Sequence, residues 1–301
     1  MGLLRLAGWA GVAALGGLAA AAAFATSQLN QRSKLNLYDT YTFTPFETNI
    51  AGYEEVTFHA SDGIRLHGWW LPRPESRQLI VVFAGHRSQK SDVLGISSGL
   101  WRAGKNVLLF DWRSRGVSEI AQHSLAYYEQ RDAEAALAYA TGRVANADLG
   151  VVGFSMGAAT AILVSARHPE IRAVWADSSF TSAYDVVHDN AARLGMPATL
   201  ITSSASWLSQ ITAGYHFDLV RPIDQISKIT CPIMITHGES DGLIPVAHAH
   251  ALYAAANQPK ELLLFPGTDH CGGYFVDRSD YVNRTADFFD RWLTRELEAG
   301  A

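Results

Sequence analysis

The feature of this sequence that most limits its fold is a set of short, wholly apolar runs separated by stretches of helical pattern. The runs at 80–83, 107–110 and 233–235 contain only Ile, Val, Leu, Met and Phe. A strand that is apolar on both faces is covered on both faces, as happens in a mainly parallel sheet. The runs therefore predict a largely parallel sheet with helices on its two sides.

Eight runs rich in Val, Ile, Leu and aromatic residues are typical of strands: 55–59, 64–71, 79–84, 106–111, 149–154, 173–177, 233–238 and 261–265. The first two flank Ser61-Asp62-Gly63, a tight-turn sequence, and are expected to form an antiparallel hairpin at one edge. Helical patterns follow at 128–141, 156–167, 246–257 and 280–297. This alternation predicts an α/β fold, and residues 178–229, which interrupt it, are expected to form a short helical lid over the sheet.

The amino-terminal residues 1–27 differ from the rest of the chain. Residues 6–25 carry no charge and consist mostly of Ala, Gly and Leu. Twenty apolar residues in a row match the thickness of a bilayer core, so this segment is expected to be a membrane anchor. Ala23-Phe24-Ala25 also fits the small-x-small pattern of a signal-peptidase site, and a cleaved secretion signal stays open as an alternative. A buried globular helix is a third alternative.

Beyond this segment, the polar residues 28–52 are expected to be a tether, and residues 53–297 the folded domain. The expected location is at a membrane, with the body of the protein exported. The alternative is a secreted or periplasmic protein after cleavage. Arg32 and Lys34 follow the apolar run as Arg5 precedes it, so the charges leave the membrane orientation open.

Charge and cysteine content exclude several classes of partner. The chain has 24 Lys and Arg against 29 Asp and Glu, a net charge of −5. Binding to a phosphate backbone needs a basic surplus, so nucleic acid is not an expected partner. Cys231 and Cys271 have no spacing typical of a zinc site or a disulfide framework.

A nucleophile motif stands between one predicted strand and the helix that follows it. Gly153-Phe154-Ser155-Met156-Gly157 matches G-x-S-x-G, in which a serine lies on a sharp strand-to-helix turn. The flanking glycines allow the backbone to pass closely. Ser155 is therefore the candidate nucleophile.

A serine hydroxyl needs a base to take its proton, and in this arrangement an acid and then a histidine follow it along the chain. Asp241 lies on the turn after the strand 233–238 and precedes Gly242, which permits a tight reversal. We predict Asp241 as the acid. Glu239 and Asp177, each at the end of a strand, remain alternatives.

The predicted base is His270, in the loop after the last strand. Residues of the turn-forming types Pro, Gly, Thr and Asp surround it. Other histidines among the 11, such as His248 and His250 on a helical pattern, fall where a surface position suffices. The neighbouring Asp269 is expected to point away from the site and to have a structural role.

Two backbone N–H groups are needed to stabilise the oxyanion that acyl transfer produces. The first is expected from Met156, directly after the nucleophile. The second is expected from His86, in the loop after the strand 79–84, where Gly85 allows close approach. This role requires no side chain, so the His86 imidazole is free to face the pocket.

With these residues located, the chain resembles the α/β-hydrolase superfamily over roughly residues 53–297. The segment 111–118, DWRSRGVS, is similar to the D-x-R-x-x-G-x-S loop after the family's fourth strand, and Asp177-Ser178-Ser179-Phe180 is typical of a small-lid branch. That branch includes membrane-anchored protein depalmitoylases and bacterial esterases. The resemblance implies an eight-stranded sheet in which only the second strand is antiparallel, and no cofactor. Ala84-Gly85 stands where the family commonly has His-Gly.

The expected function is that of a serine hydrolase which transfers an acyl group to water, with a carboxylic ester or thioester as substrate. The apolar Leu, Ile and Trp residues of the lid favour a small lipophilic or lipid-like acyl substrate. Two alternatives stay open: a serine peptidase or amidase of the same fold, and a catalytically silent, membrane-tethered binding protein. The oligomeric state is not predicted.

Overall fold

The computed structural model describes residues 16–17, 19–30, 43–50 and 52–294. Its centre is an eight-stranded sheet with the strand order β1-β2-β4-β3-β5-β6-β7-β8. The strands are β1 (Glu54–His59), β2 (Arg65–Leu71), β3 (Gln78–Phe83), β4 (Asn106–Phe110), β5 (Asp148–Phe154), β6 (Ile171–Asp177), β7 (Ile233–Gly238) and β8 (Lys260–Phe265). β2 is antiparallel to both of its neighbours, and every other pairing is parallel.

The predicted sheet is confirmed, with strand ends that differ by at most two residues from the apolar runs. β1 and β2 form the expected hairpin at one edge. Every residue of β4, β5 and β7 is buried, because helices cover both faces of the sheet there. β8, at the other edge, is only partly buried along its whole length.

The helices form two layers. They are α1 (19–29), α2 (Leu94–Arg102), α3 (Glu129–Thr141), α4 (Met156–Ser165), α5 (Ala183–Arg193), α6 (Ala198–Ala213), α7 (Pro222–Gln225), α8 (Ala247–Ala255), α9 (Gly273–Val276) and α10 (Arg278–Leu293). α2 and α10 pack together on one face of the sheet, while α3, α4, α7 and α8 cover the other. α4 is buried at all of its residues and lies on β5 and β6, which makes it the central helix of the fold.

The loop after β4 is held by its own buried aspartate. The Asp111 carboxylate accepts hydrogen bonds from the backbone N–H and the ammonium group of Lys90, at 2.7 and 2.5 Å. A Cβ at Gly116 would lie 2.1 Å from this carboxylate, so only glycine fits there. Ser118 Oγ donates to the Asp111 carbonyl at 2.7 Å. The DWRSRGVS segment thus folds into a compact turn around the buried Asp111 carboxylate.

The segment between β6 and β7 rises over the sheet as α5 and α6, which pack against each other. α1 lies against α6, where Thr26 Oγ1 donates to the Ala205 carbonyl at 3.2 Å. Most of the predicted membrane segment, residues 6–15 and 18, lies outside the described residues. Among the residues that are described, the helices are too short or too polar to cross a bilayer.

Candidate active site

The site lies at the carboxyl edge of the sheet, where parallel strands end side by side. Phe154 of β5 pairs with Asp177 of β6, and Asp177 pairs with Thr236 of β7. Gly238 of β7 pairs with Phe265 of β8. This register places the turns that follow β5, β7 and β8 together, although the residues they carry are far apart in the chain.

Ser155 occupies the turn between β5 and α4 in a backbone conformation that L-residues rarely adopt, with φ 54° and ψ −118°. Such a conformation costs about 1–3 kcal/mol and persists only where the surroundings enforce it. A Cβ at Gly157 would lie 2.3 Å from the Phe83 carbonyl oxygen, and one at Gly153 would lie 2.4 Å from the Gly157 carbonyl oxygen. The two glycines of the motif are therefore required by close backbone packing on both sides of the serine.

The structure brings the three predicted side chains into one hydrogen-bonded row. His270 Nε2 lies 2.9 Å from Ser155 Oγ, and His270 Nδ1 lies 2.7 Å from Asp241 Oδ2. The Asp241 side chain is fully buried, whereas that of His270 is 20% exposed. An imidazole held in this way can take a proton from the hydroxyl while its other nitrogen donates to the carboxylate.

The Asp241 carboxylate is held as an anion by four donors. Its Oδ1 accepts the N–H groups of Leu243 and Ile244 at 2.8 and 2.7 Å. Burial by itself would raise the pKa of this carboxyl, but hydrogen bonds from His237 and His270 outweigh it and hold the pKa well below its usual range. The group that orients the base therefore stays charged at neutral pH.

His237 is a neighbour of the site that the sequence patterns did not single out. Its Nε2 lies 2.8 Å from the Ile244 carbonyl oxygen and 3.2 Å from Asp241 Oδ2. Burial would lower the pKa of this imidazole, but the hydrogen bond to Asp241 prevails and raises it. The available signal was its position at the end of β7, four residues before the predicted acid.

The two alternative acids are placed elsewhere by the fold. Asp177 is buried beneath the site, where its carboxylate accepts hydrogen bonds from Ser178 Oγ at 2.8 Å and from the Tyr281 hydroxyl at 2.5 Å. Glu239 is exposed to solvent. The hydrogen bonds place Asp241 at His270 Nδ1, whereas Asp177 serves to tie β6 to α10.

Asp269 braces the loop that carries His270. Its Oδ1 accepts the backbone N–H groups of Gly242 and His270, each at 2.8 Å. These two bonds connect the turn after β7 to the loop after β8. The carboxylate thereby sets the distance between the acid and the base without entering the row of three side chains.

The surface position expected for His248 is wrong. This side chain is buried, with Nδ1 2.8 Å from Thr181 Oγ1 and Nε2 3.1 Å from Asp189 Oδ2. The reason is tertiary, because the segment that leads into the lid covers α8 on that side. His248 links α8 to α5 and stands apart from Ser155.

The two predicted oxyanion donors belong to segments that both lie next to the serine. Met156 is the first residue of α4. His86 follows Gly85, where an added Cβ would lie 3.5 Å from Ser155 Cβ. Trp112 Nε1 donates to the Ala84 carbonyl at 2.9 Å and holds this loop in place. The backbone thus passes the nucleophile closely although Ala84 replaces the family's usual histidine.

Two cavities open beside Ser155, with volumes of about 530 and 540 Å³. The 540 Å³ cavity is lined mainly by apolar side chains, whereas the lining of the 530 Å³ cavity also includes the charged residues Arg87 and Asp92. The size of each falls within the range of small-molecule sites. Among the described residues, no group of three His, Cys, Asp or Glu side chains is arranged to hold a metal ion.

The class of the protein follows from its fold and its site. Its sheet has eight mostly parallel strands, and a serine, an imidazole and a buried carboxylate meet at the carboxyl edge of that sheet. The fold is that of the α/β-hydrolase superfamily, as the sequence predicted. Within that class, the family model of the prolyl oligopeptidase family matches residues 111–296. The chain belongs to this family.

Curated proteins and solved structures also align with most of this chain and with most of their own length. The uncharacterized protein YfhR of Salmonella typhi is 28% identical over 82% of this chain and 83% of its own length. The α/β hydrolase domain-containing protein WAV2 of Arabidopsis thaliana is 25% identical over 85% of this chain and 84% of its own. Among solved structures, the esterase Pf2001 of Pyrococcus furiosus superimposes with a TM-score of 0.69 at 22% identity, over 88% of this chain and 99% of Pf2001. The likeness to Pf2001 shows the fold, and the family match makes the chain a hydrolase of this superfamily.

Proposed function

We propose that this hydrolase cleaves carboxylic esters, with thioesters as chemically related substrates, through an acyl-enzyme on Ser155. The observation that carries the proposal is the unbroken hydrogen-bonded path from Asp241 through His270 to Ser155, with distances of 2.7 and 2.9 Å. The strained backbone at Ser155 supports it, because such strain is retained where it positions a reactive group.

In the proposed reaction Ser155 Oγ attacks the carbonyl carbon while its proton passes to His270 Nε2. The N–H groups of Met156 and His86 stabilise the negative charge that develops on the carbonyl oxygen. The bond from carbon to the leaving oxygen then breaks, and that oxygen takes the proton from His270. A water molecule repeats the sequence on the acyl-enzyme, which releases the acid and restores Ser155.

An amide substrate is the second candidate, and the name of the matching family favours it. The lining of the 540 Å³ cavity supports the ester instead. Of the described residues that line it, none carries a formal charge at neutral pH, because burial lowers the pKa of the His86 imidazole to about 3. A peptide substrate would present a charged terminus or polar backbone groups to these walls, whereas an apolar acyl chain buries them without an unpaired polar group.

A fluorophosphonate probe together with model substrates tests the proposal. The wild-type protein is expected to be labelled and to hydrolyse p-nitrophenyl esters, whereas Ser155→Ala does neither. Ser165→Ala, at the opposite end of α4, is the matched control and keeps both activities. Faster turnover of proline p-nitroanilides than of esters supports the peptidase. Absence of labelling and of turnover in the wild type supports a binding protein instead.

For location, we propose that the apolar run at 6–25 holds the hydrolase at a membrane, with its body on the exported side. The support is the uncharged composition of the run. Its last residues, 19–25, belong to α1 at the lid, so the proposed anchor is the part of the run that precedes α1. Alkaline extraction of membranes from cells that make the full chain with a carboxyl-terminal tag tests this. Retention in the pellet at full mass supports the anchor, and a shorter soluble form supports the cleaved signal.

A further inference from the structure

α1 is fixed between the lid and the loop that carries the predicted oxyanion donor. On the lid side, Asn30 Nδ2 donates to Ser209 Oγ at 3.4 Å, in addition to the contact between Thr26 and Ala205. On the other side, the Leu29 carbonyl oxygen lies 3.0 Å from His86 Nε2. The carboxyl end of α1 therefore lies directly beside the site.

The same helix end separates the two cavities at Ser155. Gln28, Leu29 and His86 line both cavities. On one side of them is the 530 Å³ cavity, which Ile96, Tyr274 and Phe275 line together with the charged residues Arg87 and Asp92. On the other side is the 540 Å³ cavity, whose walls are α1 and the lid. From these elements it receives the apolar side chains of Ala21, Phe24, Ala25, Val186, Leu194 and Ile201.

The position of the base assigns a role to each cavity. His270 must return its proton to the leaving oxygen, so the leaving group has to lie within reach of Nε2. His270 lines the 530 Å³ cavity and does not line the 540 Å³ cavity, although Ser155 lines both. The alcohol part of an ester consequently extends into the 530 Å³ cavity, and the acyl part into the 540 Å³ cavity.

We propose that α1 is a wall of the acyl-binding site, and that the enzyme selects esters with an apolar acyl group. This inference rests on the proposed ester hydrolysis at Ser155. Acyl selectivity is then set in part by a segment that precedes the hydrolase domain. Each methylene buried in the cavity contributes about 0.8 kcal/mol, or about a 4-fold gain in kcat/KM for each added carbon.

Substituting α1 in the full chain tests the assignment. Ala25→Trp fills part of the 540 Å³ cavity, and Ala23→Trp is its matched control, since Ala23 is exposed on the same helix and lines neither cavity. Two substrate series are compared: p-nitrophenyl esters with two to twelve acyl carbons, and alkyl acetates of increasing alcohol length followed by acid release. Far-UV circular dichroism checks that each variant is folded.

Ala25→Trp is expected to lower the ratio of kcat/KM for octanoate over acetate at least 10-fold, with the ratio in the alcohol series within 2-fold of wild type. Ala23→Trp is expected to leave both ratios within 2-fold. An equal effect of the two tryptophans, or a change confined to the alcohol series, would overturn the proposal.

Phe24→Ala and Phe275→Ala give a second test, in which a side chain is removed from the edge of each cavity. Both side chains are largely exposed, so their removal should not disturb the fold. Phe24→Ala is expected to lower the acyl-length ratio about 4-fold, the value of one methylene. Phe275→Ala is expected to lower the alcohol-length ratio by a similar factor. The opposite assignment of effects contradicts the inference, whereas ester turnover by Ser155→Ala contradicts the proposed function itself.

Discussion

The carboxyl edge of the sheet and the walls that face the substrate are built in different ways. At the edge, backbone atoms enclose the reactive groups at short distances, as at Gly157, where a methyl group would lie 2.3 Å from the Phe83 carbonyl oxygen. At the walls, apolar side chains line open space, and Phe24 and Leu194 are 65% and 70% exposed.

This difference separates two tasks. Acyl transfer requires a nucleophile, a base and donors held within fractions of an ångström, which only closely packed backbone provides. Selection of an apolar chain requires area and volume, which many side chains supply equally well. Substitutions at the edge should therefore abolish turnover or folding, and those at the walls should change which ester is preferred.

The largest effect is expected at the nucleophile. Ser155→Ala removes the attacking oxygen, and kcat/KM for p-nitrophenyl esters is expected to fall by about 10⁴-fold to 10⁶-fold. Thermal unfolding should shift little, because a methyl group fits where the hydroxyl was. If Ser155→Ala kept more than one hundredth of the wild-type turnover, a group other than Ser155 would be the nucleophile.

The next effect concerns the carboxylate. Asp241→Asn keeps the shape of the side chain but presents an amide to His270 Nδ1, and kcat is expected to fall on the order of 10³-fold to 10⁴-fold. Glu239→Gln, two residues earlier and exposed, makes the same kind of change and should stay within 2-fold. Comparable losses of kcat in the two variants would show that turnover depends on negative charge near the turn after β7, and not on the orientation of His270.

The packing at the edge is tested by stability. Gly157→Ala forces a methyl group onto the Phe83 carbonyl and is expected to lower the free energy of unfolding by about 3 kcal/mol or more. Gly52→Ala, with nothing within 4 Å of the added carbon, should change it by less than about 0.5 kcal/mol. Urea denaturation measures both changes. Equal denaturation midpoints for the two variants would contradict close backbone packing around Ser155.

Acid should weaken the same edge. The pKa of Asp241 is lower in the folded protein than in the unfolded chain, where it is about 3.9, so the unfolded chain binds more protons as the pH falls below about 5. The stability that this carboxylate contributes is therefore present above that range and lost as the pH falls. His237, with a raised pKa, is protonated in both states at these values and does not oppose the trend.

Wild type is accordingly expected to lose about 0.7 kcal/mol more than Asp241→Asn between pH 5 and pH 3.5, measured by urea denaturation at each pH. Parallel stability curves for the two proteins would show that Asp241 does not titrate differently in the two states.

The smallest effect on stability is expected at the lid. Leu194→Ala removes a side chain that is 70% exposed, so the free energy of unfolding should change by less than about 0.5 kcal/mol. The acyl-length preference should still shift, because Leu194 lines the 540 Å³ cavity. A large loss of stability without a change in acyl-length preference would contradict the proposed difference between the cavity walls and the carboxyl edge of the sheet.

Much of the edge could be predicted because its signals are local. The apolar runs located the strands within two residues, and G-x-S-x-G located the turn at Ser155. Chain order and turn residues were enough to choose Asp241 and His270, which the fold places in one row. The contact between His237 and Asp241 was not predicted, since it depends on how the turn after β7 folds back on the strand.

Local sequence patterns were enough to establish the sheet, its hairpin and the candidate reactive residues, since periodicity, glycine spacing and turn composition act over a few residues. The position of α1 follows instead from long-range contacts. Thr26 is 179 residues from Ala205, and Leu29 is 57 residues from His86. The tertiary structure also buried His248 and divided the space beside Ser155 into two cavities. Such contacts depend on the fit between distant surfaces, and no pattern within a single segment encodes that fit.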